Sequence, residues 1–523
     1  MNLATPKIGI PLAALSGALL TGAFPKLGVD WLIWLALLPL LYALKDASLR
    51  SAFGLGFVAG LIHFLTLLYW LVPVMRTYGY LPAYLSVVIL CLFAAVLAFF
   101  VALFSTAMAT FGTTPARFLL WTPVAWVALE YLRSFIFSGF PWELLGYSQF
   151  NRLSLIQIAD LFGVYGLSAL IALTNGILFI SLLHFTKQNW QGIKTTNRLV
   201  GAACIILAAA FMLTWLYGHW RLDVVDAQMA ASPKTRVAVV QGNIDQAIKW
   251  DPAFQIDTVK TYHRLSASIM AQDPDLIIWP ESATPFYFLY DIKPSELVLE
   301  GIHQTAKDYL IGSPSFVRTN DVVHYFNSAY LISPLAKTMG KYDKTHLVPY
   351  GEYVPFKEWL PFLGKIVAQV GDFEAGKIGN TLPWEDQQIG VQICYEIIFP
   401  ELSRAMAANN ATLLINITND AWFGKTSGPY QHFSMTVFRA VENRRSLARA
   451  ANTGISGFID PAGRVLATTA LLEEAALTES VPLLKEKTVY TRTGDLFARM
   501  CMAVIIVMVV LNIARWGIKR RKG

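Results

Sequence analysis

A cysteine, a lysine and a glutamate in this chain each stand in a polar cluster at the end of a separate strand pattern, and together they carry the groups that thiol-based acyl chemistry needs. Cys394 closes the β-branched run in Gly390-Val391-Gln392-Ile393-Cys394-Tyr395-Glu396. Glu281 comes straight after an apolar strand pattern in Trp279-Pro280-Glu281-Ser282, and Lys344 ends Lys341-Tyr342-Asp343-Lys344. A thiol attacks an acyl carbon as thiolate, so it needs a base for its proton and a positive neighbour for its charge. Glu281 is the candidate base. Lys344 is the candidate cation, for the thiolate and for the tetrahedral oxyanion alike. No histidine belongs to the set, which speaks against a papain-like site. Each residue also has a plain structural reading: Glu281 as the cap of a following helix, Lys344 as a solvated charge, Cys394 as a small core residue.

The elements that must position these groups are short buried strands alternating with helices. Residues 236–241, 276–279, 309–312, 328–332, 389–394 and 413–417 read as strands, residues 251–272 and about 430–448 as helices. A last strand pair, 457–459 and 465–468, is joined by the turn Asp460-Pro461-Ala462-Gly463. Such a pattern predicts an α/β layered domain with its site on loops at strand ends.

Around this polar region the chain is built for lipid. Hydrophobic residues make up 55% of the 523 and charged residues only 15%, a balance that no soluble domain of this size needs. Apolar runs fall at about residues 8–24, 31–44, 52–71, 84–108, 118–132, 161–183, 199–216 and 500–514. Several are shorter than the ~20 residues of a straight crossing. The first run has only Lys7 before it and six more runs between it and the polar region, so it reads as a retained helix rather than a signal peptide. The expected division is a membrane domain at 1–220 with helices one to seven, a catalytic domain at 221–488, and an eighth helix with a basic tail at 489–523.

A net charge of +7 does not imply nucleic acid here. The basic residues gather between apolar runs and in the tail Lys519-Arg520-Arg521-Lys522, as membrane topology requires. Placing both termini in the cytoplasm puts Lys45, Arg50, Arg117, Lys187, Lys194, Arg198 and the tail inside, against Lys26, Arg76, Arg133 and Arg152 outside. The catalytic domain is then expected on the periplasmic or outer face. Ionisable groups in the membrane half, such as Glu130, Arg133, Glu143 and Asp160, sit at helix ends, which argues against transport. The aromatic loop at residues 138–147 reads equally as an interfacial belt or as a substrate-docking surface.

Cys91, Cys204 and Cys501 all lie in apolar runs, so Cys394 has no disulfide or zinc partner in the polar region. The eight histidines are scattered, without an HExxH pattern. Phosphate loops and coenzyme fingerprints are absent as well. No metal and no cofactor are expected.

Taken together, Glu in WPES, Lys in KYDKTHLVPYGEYVP and Cys in ICYE resemble the Glu-Lys-Cys triad of the nitrilase superfamily of carbon-nitrogen hydrolases. That resemblance covers about residues 236–484 and implies an αββα sandwich. An inserted domain of this type between a seventh and an eighth membrane helix resembles the apolipoprotein N-acyltransferase family, and GFPWELLGYSQ, QGNIDQAIKWD and TNDAWFG extend the likeness over essentially the whole chain. The resemblance implies transfer of a fatty acyl chain from a membrane phospholipid, through a thioester on Cys394, to the α-amine of a diacylglyceryl-cysteine apolipoprotein. It implies Glu281 as general base, Lys344 as oxyanion partner and Cys394 as nucleophile. Glu352 would fix Lys344 or assist proton transfer, Tyr395 would offer its N–H as a second oxyanion donor, and Glu396 accompanies them. Trp250 and Trp422 match aromatics of substrate-facing loops. Tyr350 stands where the family more often has Phe.

Two acyl transfers through one thiol imply ping-pong kinetics, in a monomer working in the bacterial inner membrane. Two apolar stretches of the polar region, residues 285–290 and 359–367, are candidates for lipid contact, the second favoured as a membrane-dipping arm. The alternatives are a membrane-tethered amidase or nitrile hydrolase using the same triad with water, and a transporter or receptor with a ligand-binding outer domain.

Overall fold

A computed structural model describes residues 6–354 and 372–522. Segment 359–367, the favoured arm, lies outside the described residues. The chain divides into two compact units: Met1–Val72, Ala83–His219 and Thr493–Gly523 form one, Pro73–Pro82 and Trp220–Arg492 the other.

Every apolar run of the first unit is helical. Among the described residues, five helices are long and apolar enough to cross a membrane: Leu49–Leu67, Ala83–Phe111, Val164–Phe185, Asn197–Ala231 and Leu496–Arg515. The first run forms the shorter helix Pro6–Gly22, and the fifth forms Pro115–Arg133, which carries Arg117, Glu130 and Arg133. The second run is broken into Asp30–Trp34 and Leu38–Ala43. Asn175 compensates that break: its amide donates to the Ile33 carbonyl and its oxygen accepts the Leu37 N–H. A backbone break inside lipid needs such a partner.

The polar groups of this unit staple structure together. Glu130 accepts from Trp126 Nε1 and from the Leu145 N–H, and Arg133 donates to the Phe140 and Trp142 carbonyls. The aromatic loop is thereby folded inward, with Trp142 and Tyr147 buried. That burial excludes an interfacial belt at those two rings.

Among the described residues the second unit holds twelve strands in two six-stranded sheets. In chain order they are β1 (Lys234–Gln241), β2 (Leu276–Ile278), β3 (Asp308–Thr319), β4 (Val322–Ile332), β5 (Thr338–Asp343), β6 (Thr381–Trp384), β7 (Gln387–Ile393), β8 (Leu413–Thr418), β9 (Ser446–Ala451), β10 (Gly457–Ile459), β11 (Val465–Thr468) and β12 (Ala475–Pro482). One sheet runs β12-β1-β2-β3-β4-β5, the other β11-β10-β9-β8-β7-β6. Each has three parallel strands at its middle, β1-β2-β3 and β7-β8-β9, with antiparallel strands outside them. The sheets face each other, β1 against β9 and β5 against β6.

Helices cover both outer faces, completing the αββα order. Gln255–Ser268 and Ile292–Thr305 lay Val259, Tyr262, Leu265, Val298 and Ile302 on Ala238, Ile277, Trp279 and Ile311 of the first sheet. Each fully buried aliphatic side chain there contributes roughly 1.5–3 kcal/mol. Pro400–Ala408 packs on β7, and Gly428–Asn443 on β9. Central strands covered on both faces must be apolar throughout, and β2 and β8 are buried at every residue.

The helix expected at 430–448 ends sooner. Gly428–Asn443 stops at Arg444, which takes a left-handed φ of 52°, and the chain re-enters the second sheet as β9. Ser-Leu-Ala-Arg-Ala-Ala is a short apolar run that either element can use, and pairing between β8 and β10 decides it. Of the stretch 285–290, Phe286 and Phe288 are core while Leu289 and Tyr290 are exposed. The polar joint near 221–234 is helical as far as Ala231.

Candidate active site

Glu281 and Cys394 follow the ends of the parallel strands β2 and β7, and Lys344 follows the edge strand β5. Glu281 lies three residues beyond β2. Its Oε1 accepts from Asn327 Nδ2 at 2.8 Å, and its Oε2 from the Asn419 N–H at 2.8 Å. The following helix starts only at Ile292, so Glu281 caps nothing. Gly312 on β3 makes room for this loop: a Cβ there would stand 2.4 Å from the Pro280 carbonyl oxygen and 2.7 Å from Glu281 Cα.

Lys344 follows β5 and is 1% exposed, which removes the reading as a solvated charge. Its ammonium lies 3.0 Å from both Glu352 carboxylate oxygens and 3.6 Å from Glu281 Oε1. Burial alone would push Lys344 down, but the Glu352 and Glu281 carboxylates outweigh it and hold the ammonium above its ordinary value. Asn327 Nδ2 also donates to Glu352 Oε1 at 2.8 Å, so one amide bridges the two acids.

Cys394 turns the corner after β7 with a φ of +55°, a left-handed conformation that costs a non-glycine residue roughly 1–3 kcal/mol. The corner is held from behind. The Cys394 carbonyl accepts from His432 Nε2 at 3.2 Å and from Asn416 Nδ2 at 3.4 Å. Burial pushes the thiol up and Glu281 adds to this, with Lys344 pulling the other way. The resting group is therefore a neutral thiol. It becomes a nucleophile only as its proton leaves, which is the work of an adjacent base.

Glu396 is wholly consumed. Its oxygens accept from Tyr342 Oη, the Thr345 N–H and hydroxyl, the His346 N–H and the Ile393 N–H. It ties the loop of Lys344 to the strand that delivers Cys394. Tyr395 stands over His346 and Phe399. Tyr350 bonds within its own loop, N–H to the Tyr353 carbonyl, with a φ of +61°. Trp250 ends the short helix Gln246–Lys249, and Trp422 lies edge-on to Tyr78 with ring centroids 4.8 Å apart.

The structure thus brings Glu281, Lys344 and Glu352 into one bonded cluster, with Cys394 in electrostatic reach of the first two. It gives Trp250, Tyr350 and Trp422 no bond to that cluster among the described contacts. Sequence reasoning missed Asn327, Asn419, Gln246, Lys249 and the buried group of Asp420, His432 and Arg449. Gln246, Lys249, Asn419 and Asp420 lay inside motifs already noticed, QGNIDQAIKWD and TNDAWFG. Asn327 and Arg449 sit within strands, and His432 within a helix, where nothing local marks them.

The model of the apolipoprotein N-acyltransferase N-terminal domain matches residues 16–177, and the carbon-nitrogen hydrolase model matches residues 236–485. An apolipoprotein N-acyltransferase of Geobacter metallireducens is 43% identical over 98% of this chain and 97% of its own length. That of Methylococcus capsulatus is 34% identical over 92% of each. Among solved structures, an amidase from Nesterenkonia sp. is 22% identical over 47% of this chain and 90% of its own, with a TM-score of 0.36. With a relative this similar over nearly its full length, and a nitrilase-like domain following the matched N-terminal one, the chain belongs to the apolipoprotein N-acyltransferase family.

Proposed function

We propose that this enzyme moves a fatty acyl chain from a membrane phospholipid to Cys394 and from there to the N-terminal amine of a diacylglyceryl-cysteine apolipoprotein. The observation that carries the reading is the Cys394 corner beside the bonded cluster of Glu281, Lys344, Glu352 and Asn327. In the first half-reaction the thiol proton passes to Glu281 while sulfur attacks the ester carbonyl. Lys344, with the Tyr395 N–H as second donor, faces the oxyanion. Collapse breaks the bond to the glycerol oxygen, which leaves with the proton from Glu281. In the second, the neutral amine attacks the thioester carbon and Glu281 takes its proton; collapse breaks the bond from that carbon to the Cys394 sulfur, which leaves with the proton from Glu281. Glu352 holds Lys344 in place, and Trp250, Tyr350 and Trp422 line the approach.

The membrane half then crosses the bilayer eight times with both termini cytoplasmic, the catalytic unit facing the periplasm or outer surface, and the enzyme acts as a monomer. Support comes from the placement of lysines and arginines between the apolar runs.

Intact-protein mass spectrometry after incubation with phospholipid alone tests the reading. A hydroxylamine-labile acyl adduct is expected on the wild-type protein and not on Cys394→Ala. No adduct on folded, lipid-bound protein would overturn phospholipid as donor and favour water as acceptor, the amidase chemistry.

A further inference from the structure

A second lysine stands at the site, and the triad chemistry does not use it. Lys249 ends the one-turn helix Gln246–Lys249 and its side chain is 0% exposed. Its ammonium donates to the main-chain carbonyl of Glu281 at 3.1 Å. Three donors sit on that nitrogen, and this is the one hydrogen bond it makes among the described contacts. The charged and titratable groups that act on it are Glu281 from the loop after β2 and Cys394 from the end of β7, with Lys344 and Glu352 next to Glu281. The same turn reaches Glu281 by a second route: Gln246 Oε1 accepts from Asn419 Nδ2 at 2.7 Å, and the Asn419 N–H holds Glu281 Oε2.

A buried cation costs free energy unless something compensates it. Burial draws Lys249 down from 10.5 to about 8, against the pull of Glu281 and Cys394. In the resting site its compensation is the Glu281 carbonyl that it bonds and the Glu281 carboxylate nearby. Lys344 is already committed to Glu352 on both carboxylate oxygens. When the Cys394 proton moves to Glu281, negative charge leaves the glutamate and appears on sulfur and then on the substrate oxygen. A single cation fixed to Glu352 answers only part of that movement.

We propose that Lys249 is a positioning residue for acyl transfer, anchoring the Glu281 main chain and supplying the second positive charge against which the proton passes from Cys394 to Glu281. The proposal rests on the acyl-transfer roles of Glu281 and Cys394 given above. It assigns the anchor and the charge to one side chain, and two substitutions separate them. Lys249→Gln keeps a donor for the Glu281 carbonyl without the charge; Lys249→Met keeps neither.

The test is the pH dependence of iodoacetamide alkylation at Cys394, read on the Cys394 peptide by mass spectrometry, with full-length protein in detergent. The wild type, Glu281→Gln, Lys249→Gln and Lys249→Met are compared, with a cooperative thermal transition required of each variant. At pH 7, where Lys249 still carries its charge, loss of that cation is expected to slow alkylation of both Lys249 variants about tenfold or more, and the gap should close above about pH 8 as the wild-type ammonium loses its proton. Rates equal to the wild type at pH 7, with only a lower melting temperature, would overturn the proposal and leave Lys249 a structural anchor. Lys249→Gln decides the matter if Lys249→Met fails to fold. If Glu281→Gln alkylates like the wild type, the general-base role itself fails and the Lys249 proposal falls with it.

Discussion

Two glutamates flank the chemistry, and their hydrogen bonds separate their roles. Glu352 spends its carboxylate on Lys344, Asn327 and the Val348 N–H. Glu396 spends its own on three backbone N–H groups and two hydroxyls that join separate loops. Replacing Glu396 by Gln turns one acceptor into a donor facing other donors in a fully buried site. The expected loss is about 2–4 kcal/mol of stability, seen as a lower melting temperature together with slower adduct formation. Glu352→Gln should keep the fold and remove one of the two charges that hold Lys344. Acyl-adduct formation should then fall by roughly 10–100-fold, the scale of a lost charge-assisted contact, at near wild-type melting temperature. Equal melting temperatures for the two variants would contradict this division. Glu281 and Cys394 were legible because each closes an apolar run, and Lys344 because it stands in the motif KYDKTHLVPYGEYVP. Asn327 was not, because its neighbours in sequence are strand residues and its partners come from loops at residues 281 and 352.

At the scale of elements, the nucleophile corner depends on a helix and a strand remote in sequence from it. His432 of Gly428–Asn443 donates Nε2–H to the Cys394 carbonyl, since a carbonyl can only accept, and Arg449 of β9 donates to His432 Nδ1 at 2.9 Å and to Asp420 at 2.8 Å. Burial and the Arg449 charge hold His432 below its ordinary value, against the pull of Asp420. His432→Ala removes one of the two donors to the Cys394 carbonyl, leaving Asn416, and takes a partner from Arg449 and Asp420. Since it acts through the geometry of the corner, kcat should fall by roughly 10-fold or more while KM for the phospholipid stays near wild type. A rise in KM alone would place His432 in lipid binding instead. The strand and helix pattern of the sequence gave most of these elements correctly. It failed at Arg444, where a left-handed residue ends the helix. It also left out β5, β6 and β12, whose Lys-Tyr-Asp, Pro and Glu-Ser content hides strands that pair at or near sheet edges.

On the scale of the whole molecule, fold and topology rest on different physics. The sandwich is fixed by burial and strand pairing, which a chain carries wherever it is placed. Orientation in a bilayer is fixed by where lysine and arginine lie relative to the apolar runs. The charge distribution is decided: the tail holds four basic residues in a row, while the hairpin between β3 and β4 belongs to the roughly 280-residue insert. Site-directed labelling separates the two ends of the argument. In a background with the exposed Cys91 and Cys204 replaced by serine, Thr319→Cys, exposed near the β3–β4 turn, is expected to react with a membrane-impermeant maleimide in spheroplasts. Arg521→Cys in the tail should react only after permeabilisation. The reverse order would place the catalytic unit in the cytoplasm, cut it off from substrates on the outer leaflet, and require a different acyl acceptor for the same thiol.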